Sequence, residues 1–104
     1  MPISNKPWGQ FKESDYTLEQ WHQACLIHLH DGDPTSKAQC KLPVREPDGT
    51  VNRNGVHRAA ALAGARGGVD APLSEKRTAA RKLLALYREL EEEPPASIKK
   101  LAGA

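Results

Sequence analysis

The chain reads as a small, mainly α domain: three helices, with a short extended, hairpin-like segment between helices one and two. Three observations predict this. Apolar side chains recur at a helical period over residues 18–29 and again over 79–90. Glycine, proline and asparagine cluster between those stretches, where turns belong. The chain has 104 residues with 5% aromatics and a mean hydropathy of −0.63, which suits one modest core. The organisation expected is an extended N-terminal arm over 1–14, a single helical domain over 15–95 and a C-terminal tail over 96–104. Two prolines disfavour helix in the arm, and Trp8 and Phe11 are its apolar anchors.

Helix one has a full start signal. Thr17 and Gln20 form a capping box, and Tyr16 with Trp21 forms a hydrophobic staple. Leu18, Trp21, Cys25, Leu26 and Leu29 then make a stripe, and Gly32 followed by Pro34 ends it. On this reading Cys25 is a buried apolar residue. His28 and His30 complement the helix C-terminus, and Asp31 and Asp33 belong to the turn.

The segment "KLPVREPDGTVNRNG" sets Leu42, Val44 and Val51 around a Pro47-Asp48-Gly49 turn, with Pro43 restricting any strand to an edge. Asn54 caps helix two, expected over 55–65 with Val56, Ala59, Ala60 and Ala63 as its small-residue face and Gly64, Gly67 and Gly68 at its end. Helix three starts at Ser74, or at Asp70 as the alternative cap. Ala79, Ala80, Leu83, Leu84, Tyr87 and Leu90 form its core stripe. Glu91, Glu92 and Glu93 oppose the helix dipole, so that end must fray or be held by basic residues from elsewhere. The tail offers Ile98 and Leu101 for one docked turn.

Function is read more by exclusion. No stretch approaches 18 apolar residues and no signal-peptide pattern opens the chain, so neither a membrane span nor export is expected. Two cysteines make no disulfide framework. A metal site needs three or four converging ligands. His28 and His30 would point about 200° apart on a helix. Cys25 and His28 share a face, with Cys40 or His57 as completing ligands, but no paired C-x-x-C or H-x₃₋₅-H spacing is present. No metal and no cofactor is therefore expected. Neither a nucleophile elbow nor a phosphate loop is present, and a Cys40–His57 dyad is a pairing that any such composition offers, so no enzyme is expected.

Net charge is +2, distributed as −3 over 1–36, +6 over 37–82 and −1 over 83–104. A basic middle suits an acidic partner or a polyanion. Arg77, Arg81 and Arg88 fall on one flank of helix three and, with Trp8 and Phe11, are the expected partner contacts. The alternative is nucleic-acid binding, with Arg53, Asn54, His57 and Arg58 at a helix N-terminus. Against it, the pI is 8.6 and no aromatic platform lies in the basic zone.

The motifs themselves resemble a family. "F…DYT-x-EQW-x-x-ACLI", "KLPVREPDG-x-x-NR-x-GVH-x-AAA" and a Lys/Arg/Ala/Leu-rich helix ending "LYREL" before "EEPP" are similar to a small domain of tailed-bacteriophage and prophage proteins, especially of actinobacterial phages. The matching stretches are Phe11–Ile27, Lys41–Ala61 and Lys76–Pro95. The resemblance implies a capsid-associated structural component working by protein–protein contact, with a capsid or head protein as partner, self-association as a further option and no membrane. It places the chain in the virion or the host cytoplasm. It carries over no protease motif.

Overall fold

The computed structural model describes residues 3–29, 32–63 and 68–103. The fold is mainly α, and among the described residues it has four α-helices: α1 (Leu18–Ala24), α2 (Arg53–Ala63), α3 (Leu73–Leu90) and α4 (Ala96–Gly103). Four short strands accompany them: β1 (Ile3–Ser4), β2 (Cys25–His28), β3 (Cys40–Pro43) and β4 (Val51–Asn52). They form two separate pairs, β1 parallel to β4 and β2 antiparallel to β3. The expected three helices are thus four, and strands are present. Among the described residues, no helix is long and apolar enough to cross a membrane.

α1 begins as expected. Thr17 Oγ1 accepts from the Gln20 amide at 3.1 Å, and Gln20 Oε1 accepts from the Thr17 amide at 2.8 Å. Tyr16 and Trp21 meet edge-to-face with ring centroids 5.1 Å apart. The helix does not run on to Leu29. It stops at Ala24, and Cys25, Leu26 and Ile27 continue as a strand buried on both faces. A short apolar run between two packed layers satisfies strand and helix patterns alike, and here the strand wins because β3 supplies a hydrogen-bonding edge. His28 therefore lies on β2 rather than in a helical last turn. His30 and Asp31 lie outside the described residues.

The Pro47–Gly49 reversal forms as expected. Gly49 takes φ 93°, Thr50 donates its amide to Asp48 Oδ1 at 2.9 Å, and Arg45 bridges Val51. The partner of the extended segment is different: β3 pairs with β2, with Cys25 opposite Pro43 and His28 opposite Cys40. Leu42 holds φ 64° within β3, a left-handed conformation costing roughly 1–2 kcal/mol. Its side chain is buried in the core, which offsets that cost.

The cap of α2 is Asn52, not Asn54. Asn52 Oδ1 accepts from the Gly55 amide at 2.8 Å, and its Nδ2 donates to Glu46 Oε2 and to the Lys6 carbonyl. Asn54 instead donates to the carbonyls of Asn5 and Lys6. α2 starts at Arg53 and ends at Ala63; residues 64–67 of the expected connector lie outside the described residues.

α3 starts without a side-chain cap, the Pro72 carbonyl accepting from Glu75 and Lys76, so neither Ser74 nor Asp70 caps it. Leu86 joins the buried stripe while Leu84 is half-buried. Its C-terminus closes with Glu91 left-handed at φ 58°, Glu91 donating to the Arg88 carbonyl and Glu92 to the Tyr87 carbonyl.

The main core packs Ala59, Ala60 and Ala63 of α2 against Ala79 and Ala80 of α3, with Ile27, Val51, Leu83 and Ile98 around them. A second cluster holds Tyr16, Trp21, Ala24, Cys25 and Cys40, with Phe11 packed on it. Residues 3–14 and 96–103 both join this body. Segment 1–14 is more than an extended arm, because β1 pairs with β4 and Trp8 lies over Gly55. Segment 96–104 contains α4, whose fully buried Ile98 and largely buried Ala102 seat it on α3.

Candidate functional site

The residues singled out by sequence occupy three distinct places. Trp8 and Phe11 are half-buried and tilted against each other with centroids 5.8 Å apart. A Cβ at Gly55 would meet Trp8 ring carbons at 3.0 Å, so the indole is spent on the α2 N-terminus. Phe11 packs on the second core cluster. Both anchors serve the fold before they serve any partner.

Arg53 and His57 converge on Glu92. Arg53 donates to Glu92 Oε2, to Asn5 Oδ1 at 2.7 Å and to the Leu90 carbonyl at 3.3 Å. His57 Nε2 donates to Glu92 Oε1 at 2.6 Å, and its ring stacks on Tyr87. These hydrogen bonds, His57 first, hold the Glu92 carboxyl below its ordinary range against the opposing effect of desolvation. Of the glutamates at the end of α3, Glu92 is thus held by Arg53 and His57 of α2 and Glu93 by Lys99 of α4, one of the two outcomes their position allowed. Of the four residues proposed for nucleic acid, Arg53, Asn54 and His57 are engaged inside the molecule, and Arg58 is exposed without an ion pair to the described residues.

The α3 flank is different. Arg81 and Arg88 are exposed and make no ion pair with the described residues. Arg77 is half-buried, and its Nε is buried without a hydrogen-bond partner among the described residues. Leu73 and the half-buried Leu84 share this flank, and Leu73 is 54% exposed.

A fourth place was not found from spacing. His22 near the end of α1, His28 on β2 and Cys40 at the start of β3 bring their ligand atoms within 4.8 Å of one another. Cys40 Sγ lies 3.7 Å from His22 Nδ1. The two imidazoles stack with centroids 4.2 Å apart and planes 20° apart. His28 Nε2 lies 2.8 Å from the His22 carbonyl, which can only accept, so that nitrogen is the donor. The ligand sets weighed from sequence joined Cys25 and His28 with Cys40 or His57. The structure keeps His28 and Cys40, replaces Cys25 by His22 and leaves His57 with Glu92. Sequence reasoning missed His22 because a helix continued through 29 sets it six positions from His28, on a divergent face. The helix-to-strand change at Cys25 folds His28 back beneath the helix end.

His22 also lines an open cleft of about 490 Å³ with Leu18, Glu19, Gln23, Asp33 and Pro34. Cys25 and Cys40 form no disulfide. Burial, then the neighbouring Cys40, pushes the Cys25 thiol up, and burial pushes Cys40 up too. A raised thiol pKa is the opposite of what a cysteine nucleophile needs. Burial likewise raises Tyr16 to about 12, its hydroxyl donating to the Arg45 carbonyl at 2.5 Å.

Glu46 and Asn52 were also missed. Both are buried, at 4% and 0% exposure, and they satisfy each other at 2.9 Å. The only signal was an asparagine just before a helix start. Compared with models of protein families, with curated proteins and with solved structures, the chain matches none of them.

Proposed function

We propose that this chain is a non-enzymatic, capsid-associated module of a phage or prophage particle, acting by protein–protein contact in a decoration or head-accessory role. The observation that carries the contact reading is the α3 flank. Leu73, Arg77, Arg81, Leu84 and Arg88 share one side of the helix, and Arg81 and Arg88 are exposed without an intramolecular ion pair to the described residues. Arginine beside exposed apolar area is the composition that protein interfaces favour. Guanidinium groups so displayed suit carboxylates on a head protein. The particle context comes from the sequence motifs. Their polar members, Asn52, Arg53 and His57, act inside the fold, which leaves the surface of α3 as the working face.

Particle composition tests this. Assembled particles are sedimented from the producing culture, and the chain is quantified against the shell protein by mass spectrometry. A fixed ratio is expected, and the double variant Arg81→Glu, Arg88→Glu should lower it while leaving the circular-dichroism spectrum unchanged. A chain that stays in the supernatant overturns the proposal. The second reading, binding of nucleic acid through Arg58 and the same arginines, would then be judged by salt. Its affinity should fall with a log–log slope of roughly −0.9 per phosphate neutralised.

A further inference from the structure

We propose that His22, His28 and Cys40 form a binding site for one borderline-soft divalent metal ion of the zinc class. This inference is independent of the contact role. Its basis is the convergence of three lone-pair donors from three different elements. β2 and β3 place His28 directly opposite Cys40, so the two side chains leave the same face of the sheet. The last turn of α1 sets His22 over them. The three ligand atoms lie within 4.8 Å of one another, with Sγ to Nδ1 at 3.7 Å. A tetrahedral zinc ion, with Zn–N of about 2.0–2.1 Å and Zn–S of about 2.3 Å, needs N···S separations of about 3.5 Å. The observed pair is within a few tenths of that.

The surroundings fit the same chemistry. A metal-bound histidine usually donates its other ring N–H to a carbonyl or carboxylate, which fixes ring and tautomer. His28 already does this to the His22 carbonyl. That carbonyl is among the last in α1, so the bond also satisfies a helix end. One sulfur with two imidazole nitrogens selects zinc, cobalt or copper over calcium or magnesium, which prefer oxygen. Cys40 is buried while His22 and His28 are half-exposed, so the sulfur sits innermost and the ion enters from the imidazole side. His22 borders the cleft that Glu19 and Asp33 also line, so the fourth coordination position faces solvent on that side. As the metal–sulfur bond forms, the Cys40 proton leaves to solvent. No electron is transferred.

The test is a titration of the reduced, metal-free full chain with cobalt(II), followed by zinc(II). One cobalt per chain is expected, with the intense visible bands of four-coordinate cobalt and a thiolate-to-cobalt charge-transfer band. One equivalent of zinc should bleach both. Cys40→Ser should remove the charge-transfer band, and His22→Gln and His28→Gln should each weaken binding by roughly tenfold or more. Cys25→Ser and His57→Gln should keep the full spectrum. Each variant is checked for fold by circular dichroism. Should Cys40→Ser prove misfolded, alkylation mapping of the wild type gives the same decision, with zinc expected to protect Cys40. Absence of stoichiometric cobalt uptake, a charge-transfer band that survives Cys40→Ser, or binding indifferent to both histidine substitutions overturns the proposal.

Discussion

Two joints hold this molecule together, and they are made of different chemistry. At the start of α2, charge meets opposite charge: Arg53 and His57 bind Glu92, and Lys6 lies 3.9 Å from the buried Glu46 that Asn52 also holds. At the end of α1, the imidazoles of His22 and His28 and the Cys40 thiol bring their ligand atoms within 4.8 Å of one another. The first joint completes itself with groups of complementary charge. The second gathers two imidazoles and a thiol from three different elements. The comparison teaches that a dense polar cluster is not in itself a functional signal. What distinguishes the two is the chemistry of the groups that each collects.

The first joint is best broken at its buried centre. Asn52→Ala removes the cap of α2 and one partner of Glu46 together, leaving a buried carboxylate poorly satisfied. Urea denaturation should show a loss of about 3 kcal/mol. Leaving stability intact would show that water replaces both bonds.

Next in size is Gly55→Ala. A methyl group there must displace the Trp8 ring. The clash should outweigh the roughly 1 kcal/mol that alanine gains in helix propensity, for a net loss of about 1 kcal/mol. In a Trp21→Phe background, Trp8 emission should shift to the red as the indole leaves its seat.

Glu92→Gln has a smaller effect because the ion pairs are part-exposed and screened. A loss of at most about 1 kcal/mol is expected, and it should shrink further in high salt. The pH dependence has a definite sign. The carboxyl pKa is lowered in the folded state, so the folded chain binds fewer protons than the unfolded chain. The stabilisation is complete above the ordinary carboxyl value of 4.5 and disappears as pH falls below it through the folded value. Denaturation curves of wild type and Glu92→Gln should therefore converge toward the acid end. Curves that stay parallel would show that the pairing adds nothing to stability.

The smallest effect belongs to the surface. Arg81→Ala with Arg88→Ala should leave the denaturation midpoint unchanged, since neither side chain is paired with the described residues. A drop in stability would show these arginines to be part of a joint rather than of a contact face.

Local signals were legible in the chain. The Thr17–Gln20 box, the Tyr16–Trp21 staple, the Asp48–Gly49 reversal and most of the α3 stripe are each written within a few residues, because each depends on contacts between near neighbours. Helix α1 was read too long because Cys25, Leu26 and Ile27 fit both periods, and only the edge of β3 decides between them. The same strand pairing carries His28 to Cys40 and so assembles a cluster that no spacing announces. Asn52 and Asn54 look alike as caps in sequence, and the position of Glu46 and Lys6 settles which one turns inward.

The sequence by itself determined the mainly helical class, the start of α1, the Asp48–Gly49 turn, and the basic character of the middle of the chain, all properties of composition and short-range spacing. Tertiary structure alone decided that segments 3–14 and 96–103 pack on the body, that Glu92 pairs with Arg53 and His57, and that His22, His28 and Cys40 stand together. Those outcomes depend on which faces bury most apolar surface against one another, and that is a competition among distant segments.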